Sequence, residues 1–383
     1  MIQNYYNKKF LILKQNNLEF SSILNSSLPL STIITNVSSK YQEFSFNFLK
    51  FFDVYNVNRK DLHYVLKEPI DVVIKYIDLT DKSLNRSGIK QIFKDKDNEE
   101  LRYSVRSILK NIPWIRKIYI IMPNNKVSYF RPIEEIKEKI IYIKDKDLLG
   151  YDSANNVAFT FNLYKLKKFG LTRNFIYMDD DYFIGKPLKK TDFFYYDEKE
   201  KKVLPYILTS SFEEMNKKSI LEEYNKLFIK RNSINPHSLR GFKLSLLSTK
   251  KFFIDHYNEP LIKTEYTHNA IAENIDDVKE IFNQFKKYKY FKETLLSKER
   301  YILRLSQHEF YNLYQLNINH RKIHSIRHKY ISISLIRKVC LNVDLFVINT
   351  GGGKYTSSQF LKAKAIMENT FPNKTKYEIQ DNN

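Results

Sequence analysis

The chain has 383 residues, 43% of them hydrophobic, which is enough for one large domain or two with a sizeable core and excludes disorder over most of its length. Its 64 basic residues against 43 acidic ones leave a net charge of +21, which favours anionic partners, although an AT-rich, Lys- and Asn-rich composition tends the same way. The single cysteine, Cys340, excludes a disulfide framework and a cysteine-based zinc cluster, and no apolar run approaches the length of a membrane span.

Residues 1–69 are Ser- and Asn-rich with scattered aromatics and read as a variable N-terminal subdomain. The opening stretch MIQNYYNKKFLILKQNN offers an apolar run only four residues long, so a secretory leader is not expected. The β-branched run in PIDVVIKYIDLTD predicts a strand followed by Asp78 and Asp81. NEELRYSVRSILKNIPWIRKIYIIMP predicts a helix, a turn at Pro113 and a strand. Leu101, Val105 and Ile108 share one helix face, and Arg102 and Arg106 are assigned to another. EKIIYIKDKDLLG predicts a strand with an acidic end, NNVAFTFNLYKLKKFG a helix closed by Gly170, and NFIYM a further strand. Strand and helix thus alternate from about 70 to 195, the pattern of a mostly parallel, Rossmann-like α/β sheet with flanking helices. YYDEKEKKVLPY predicts a charged connection or hairpin, and 201–329 reads as a mainly helical lobe. CLNVDLFVIN is a last strand, and SSQFLKAKAIMENTFP a terminal helix with Ser357 or Ser358 as N-cap. The expected division is 1–69, a core of 70–200 with 330–383, and the helical lobe 201–329.

The chemistry concentrates in FIYMDDDYFIGKPL. Asp179, Asp180 and Asp181 end an apolar strand, and Tyr182, Phe183 and Ile184 resume the apolar pattern before Gly185, Lys186 and Pro187 break it. Carboxylates held at a strand's carboxyl end face the ligand crevice of an open α/β sheet, where a hard divalent cation such as Mg2+ or Mn2+ would relieve their repulsion. Asp180 and Asp181 are the expected metal ligands.

Four stretches resemble the Stealth phosphotransferases, a family of bacterial capsular-polysaccharide sugar-1-phosphate transferases and the catalytic part of the lysosomal-enzyme N-acetylglucosamine-1-phosphotransferase. IDVVIKYIDLTD is similar to a family strand and places Asp78 and Asp81 at family positions, with Tyr76 in place of Trp and Leu79 in place of Gly. DNEELRYSVRSILKNIPWIRKIYIIMPNN is the most specific match, carrying Asp97, Asn98, Glu100, Arg102, Tyr103, Ser104, Arg106, Ser107 and Trp114. In FIYMDDDYFIGKPLKKTDFF, Asp180 and Asp181 fall on the family's paired Asp and Asp179 replaces Asn, while a glutamate of the preceding family helix is Asn162 here. Further on, His268, Thr294 and Arg300 match a His and a Thr–Arg pair, with His237 of NPHSLRG as a competing alignment for the histidine. Asn349 and FPNKTKYE match the family's terminal pattern, with Thr350 in place of Asp.

The resemblance covers roughly residues 70–378. It implies transfer of a sugar 1-phosphate from a nucleotide-sugar to a hydroxyl of a glycan acceptor, releasing a nucleoside monophosphate, in surface-polysaccharide synthesis. In that frame His268, at the head of an expected helix, is the first candidate for general base, with His237 as the alternative. Arg102 and Arg106, one helical turn apart, are expected to face phosphate, with Arg300 as a second clamp. Asp78 and Asp81, Asn98 and Ser104 are expected to orient sugar or nucleotide. A metal-dependent glycosyltransferase releasing a nucleoside diphosphate, or a non-catalytic polyanion-binding protein, stands as the alternative. No helix-turn-helix, zinc finger or RNA-recognition signature is visible, so nucleic acid is not an expected partner. The expected location is the cytoplasm, with contact at an anionic inner membrane surface.

Overall fold

The computed structural model describes residues 59–76, 99–123, 127, 129–151, 156–209, 212–234, 239–257, 262–264, 270–288, 306–332, 343–349 and 357–379. Residues 1–58 of the expected N-terminal subdomain, and Asp78, Asp81, Asp97, Asn98, His237, His268, Thr294, Arg300, Cys340 and Thr350, therefore lie outside the described residues; the subdomain's last part forms the helix Arg59–Lys67.

The central sheet is built from β1 (Ile70–Lys75), β2 (Ile118–Met122), β3 (Ile140–Lys144) and β4 (Asn174–Asp179). β1 pairs in parallel with β2 and β4, and β2 with β3. All six residues of β1 are buried, because both sheet faces are covered; parallel strands in that position read as unbroken apolar runs. On one face Val72, Ile74, Ile120, Ile176 and Met178 pack with Leu101, Val105 and Ile108 of the helix Glu100–Asn111. On the other, Val73, Ile121, Phe175 and Tyr177 pack with Phe252, Val278, Ile281 and Phe310 from the later helices.

The strands leaving this sheet are β5 (Tyr182–Ile184), the hairpin β6 (Phe194–Asp197) and β7 (Lys202–Pro205), β8 (Ile207–Thr209) and β9 (Phe212–Glu214). They are followed by β10 (Ile262–Thr264), β11 (Ile271–Asn274), β12 (Ile323–Ser325), β13 (His328–Ser332) and β14 (Leu345–Asn349). The region 201–329 holds helices Lys217–Phe228, Leu239–His256, Ile275–Phe285 and Gln307–Asn317, but it also supplies β11, which closes the central sheet as an antiparallel edge on β4. The sheet order is β11-β4-β1-β2-β3.

Three expectations are corrected. The helix expected to begin near His268 begins at Ile275, capped by the Asn274 side chain on the Asp276 amide, and β11 occupies the residues before it. Four consecutive buried residues beside β4 outweigh the helical pattern there. The helix expected up to Gly170 is broken into Asn156–Thr160 and a 3-10 stretch, Leu163–Phe169, with Asn162 at the break and Gly170 as a left-handed cap at φ 84°. Its sequence, with Phe159, Thr160 and Phe161 in succession, has low helix propensity. Arg106, expected on an outer helix face, is buried.

Candidate functional site: a carboxylate turn at the sheet's crossover

The chain steps outward from β1 to β2 and β3, then crosses back to lay β4 on the other side of β1. That reversal opens a crevice at the carboxyl ends of β1 and β4, the position where open α/β sheets bind ligands. Lys75 and Asp179 are paired across it on the last rung. Lys75 is buried, donates to both carboxylate oxygens of Asp145 at 3.2 and 3.4 Å and to the Tyr76 carbonyl at 3.0 Å, and lies over the Phe159 ring. Its charge is therefore neutralised by the acidic end of β3, and it fixes the exit of β1.

Asp179 is buried and accepts from the Tyr177 hydroxyl at 3.0 Å. Burial, and secondarily the Asp179 charge, holds that phenol far above its usual range, so it remains a donor to the carboxylate. Asp180 and Asp181 form the half-buried turn that follows. The turn is anchored from beyond: Ile348 donates its amide to the Asp181 carbonyl at 3.3 Å, and β5 pairs with β14 immediately afterwards. Gly185 ends β5 where a Cβ would stand 2.4 Å from the Val343 carbonyl oxygen, so only glycine permits this approach.

The helix Glu100–Asn111 holds the same turn from below. Ile184 donates to the Ser107 hydroxyl at 3.1 Å, Asn111 donates to the Ile184 carbonyl at 2.5 Å, and the Trp114 indole donates to the Leu188 carbonyl at 2.7 Å. These polar identities, which carried the resemblance, work as a clamp on the carboxylate turn. Arg106 belongs to the same scaffold. It donates from Nε and Nη2 to Glu378 at 2.9 and 2.6 Å and from Nη1 to the Phe371 carbonyl at 2.8 Å, so the expectation that it faces phosphate is corrected. Ser104, expected to orient sugar or nucleotide, is fully buried in that helix. Arg102 remains part-exposed at 22%, bridged to Glu99 at 2.7 Å and 3.6 Å from Glu378, over the Tyr129 ring. The structure thus brings Asp180 and Asp181 to one turn and sends Arg106 and Ser104 into the interior. Lys75, Asp145 and the Tyr177–Asp179 pair escaped sequence reading, since a lysine within VVIKY carries no sign that it is buried.

Two adjacent carboxylates at a half-buried turn are the oxygen donors that a hard cation takes. Among the described residues no group of three or more His, Cys, Asp or Glu is placed to hold a metal, so further ligands would have to come from elsewhere. Cavities of 570 and 430 Å³ open beside Asp276, one of them lined also by Arg173 and Leu171. Both lie beside Asp276, just past the Asn174–Asn274 rung at the amino end of β4, the other end of that strand from the carboxylate turn.

An α/β protein with an acidic turn at the sheet crossover belongs, by architecture, among proteins that bind ligands at strand ends. The Stealth protein CR2, conserved region 2, matches residues 94–202, which run from before the clamp helix through the carboxylate turn and β6 to the first residue of β7. A capsular polysaccharide phosphotransferase of Actinobacillus pleuropneumoniae is 27% identical over 283 residues, 67% of this chain and 69% of the relative. One of Haemophilus influenzae is 32% identical over 142 residues, 33% of this chain and 38% of the relative. The human N-acetylglucosamine-1-phosphotransferase subunits alpha/beta are 30% identical over 113 residues, 29% of this chain and 9% of that protein. The chain is thus similar to Stealth proteins through conserved region 2 and to capsular polysaccharide phosphotransferases over a longer stretch. Among solved structures, a galactosyltransferase in complex with donor and acceptor sugar analogues covers 81% of the chain at 9% identity and a TM-score of 0.38, too remote to carry an argument.

Proposed function

We propose that this protein transfers a sugar 1-phosphate from a nucleotide-sugar to a hydroxyl of a glycan acceptor in surface or capsular polysaccharide synthesis. The observation that carries the reading is the similarity to a capsular polysaccharide phosphotransferase over about two thirds of both chains. The acceptor oxygen attacks the phosphorus bearing the sugar, a phosphodiester forms, the bond to the nucleotide breaks, and a nucleoside monophosphate leaves. The acceptor proton passes to a base, for which His268 is the first assignment and His237 the second. A strand, β11, and not a helix follows His268 in sequence, and the helix begins only at Ile275.

Such a transfer needs charge neutralisation and positioning more than covalent help. Mg2+ or Mn2+ bound by Asp180 and Asp181 would neutralise the diphosphate. Arg102, which keeps part of its guanidinium exposed, and Arg300 would carry the remaining phosphate charge, with Asp78, Asp81 and Asn98 orienting sugar and nucleotide. Among the described residues no helix is long and apolar enough to cross a membrane. We place the reaction at the cytoplasmic side of the membrane.

The test is incubation with a panel of nucleotide-sugars and Mg2+, and identification of the released nucleotide. A nucleoside monophosphate, lost on chelation, supports the reading. Release of a nucleoside diphosphate would make the protein a glycosyltransferase, and no metal-dependent turnover with any donor would leave polyanion binding. His268→Ala and His237→Ala, assayed side by side, assign the base: its loss should lower turnover about 10²–10⁴-fold with donor binding retained.

A further inference from the structure

The helices Lys217–Phe228 and Leu239–His256 pack as a hairpin around Tyr224, Leu244 and Leu247. From Tyr224 to Ile254 the sequence carries seven Lys or Arg and no Asp or Glu. Three of the seven are paired with acids outside that span: Lys243 with Glu223, Lys250 with Glu309 and Lys251 with Asp255. Lys226, Lys230, Arg231 and Arg240 are exposed and have no acidic partner among the described residues. The Lys243–Glu223 bridge sets the two helices side by side. Lys226 and Arg240 each lie three residues beyond it toward the hairpin's connection, so all four cations gather at that end. In their midst Ile229 is 78% exposed, and the Arg231 guanidinium lies 4.2 Å over the Phe228 ring.

We propose that this hairpin tip is a docking surface for a lipid bilayer bearing anionic headgroups, with Lys226, Lys230, Arg231 and Arg240 facing the phosphates and Ile229 entering the headgroup boundary. Unpaired cations alone would suit any polyanion. The isoleucine discriminates: a soluble polyanion gains nothing from it, whereas a bilayer takes up an apolar side chain ringed by basic ones. Vesicle binding is read without turnover, so its failure and the failure of the reaction proposed above are distinguishable.

The test uses the full chain with vesicles of phosphatidylcholine, plain or doped with phosphatidylglycerol, read by co-sedimentation. Binding to the doped vesicles only, weakening with salt, is expected. Each basic residue near such a surface contributes about fivefold, so K226E/K230E/R231E should lose at least about a hundredfold and flatten the salt dependence. Ile229→Ser should lose about tenfold and leave the salt dependence as it was. Both changes are at exposed positions, and unchanged melting together with unchanged turnover on a soluble acceptor would show that the variants fold. Parental binding by the triple variant, equal binding to both vesicle types, or no binding to the doped ones would overturn the proposal. So would loss of binding to a soluble anionic polysaccharide in the triple variant combined with no effect of Ile229→Ser on vesicles, which would make the tip a polyanion site.

Discussion

Arg106 and Glu378 stand 272 residues apart in sequence and meet in a two-pronged ion pair, with donor–acceptor distances of 2.9 and 2.6 Å. Both side chains are buried, at 5% and 1% exposure, and Glu378 also accepts from the Thr375 amide and hydroxyl. The pair ties the C-terminal segment to the helix that clamps the carboxylate turn. Removing one partner leaves the other charge buried without compensation, which typically costs about 3–5 kcal/mol. Glu378→Ala should lower unfolding free energy by about that amount in urea titration, while an apolar pair, Arg106→Met with Glu378→Leu, should recover most of it. A loss below about 1 kcal/mol in Glu378→Ala would mean that the pair is solvated in solution.

The same pair marks what could be read from sequence. Arg106 in the SVRS run and Glu378 in FPNKTKYE were both visible as matches to a family pattern, yet nothing in either stretch indicates that they touch. A charged residue one turn from Arg102 reads as exposed, because pattern reasoning sorts charges outward. Only a partner from a distant segment permits its burial. The four parallel strands were legible because both faces of the sheet are covered and their apolar runs are continuous. β11 was not, since Ile271–Asn274 is four residues long and contains a glutamate and an asparagine, a composition that reads as polar helix. The carboxylate turn was legible from the change of pattern around it, whereas the lysine that braces the neighbouring strand was not.

Asp180 and Asp181 are held in a half-buried turn by Ile348 and by the β5–β14 pairing, through backbone contacts. An Asp→Asn change keeps the side chain's size and shape and alters only its charge, so this backbone frame should persist. Asp180→Asn and Asp181→Asn should each lower transfer at least about a hundredfold, as expected when a metal-bridging charge is lost, with melting temperature unchanged. Turnover within about threefold of the parent (under roughly 1 kcal/mol) removes both residues from the reaction.

Lys75 is the countercharge of Asp145, which is fully buried. Lys75→Met should destabilise by about 3–5 kcal/mol, and Lys75→Met with Asp145→Leu should regain much of that. Because Lys75 also holds the Tyr76 carbonyl, at the exit of β1 toward Asp78, the double variant should fold and still turn over more slowly at saturating donor. Full turnover in the folded double variant would reduce the pair to a packing element.

Glu273 lies on β11 with neither carboxylate oxygen hydrogen-bonded and no exposure to solvent. Burial, and secondarily the charge of Asp277, raises its pKa well above the usual 4.5. Asp277 itself is bridged to Arg321 at 2.8 Å, and among the described residues no cation is paired with Glu273 to offset its ionisation. The sign follows from proton counts. Above pH 4.5 the unfolded chain releases the Glu273 proton while the folded chain keeps it, so unfolding releases a proton and stability falls as pH rises. The fall begins near 4.5 and ends once the folded protein also gives up the proton. Glu273→Gln removes this contribution and leaves the Asp277–Arg321 pair in place. Parent and variant should therefore show the same pH slope of unfolding free energy below about pH 4, and diverge above it with the variant increasingly the more stable. The measurement is chemical denaturation of both proteins from about pH 3 to about pH 8, on both sides of the pH at which the slopes should part. A difference that stays constant across that range would mean that Glu273 is ionised in the folded protein and has found a partner there.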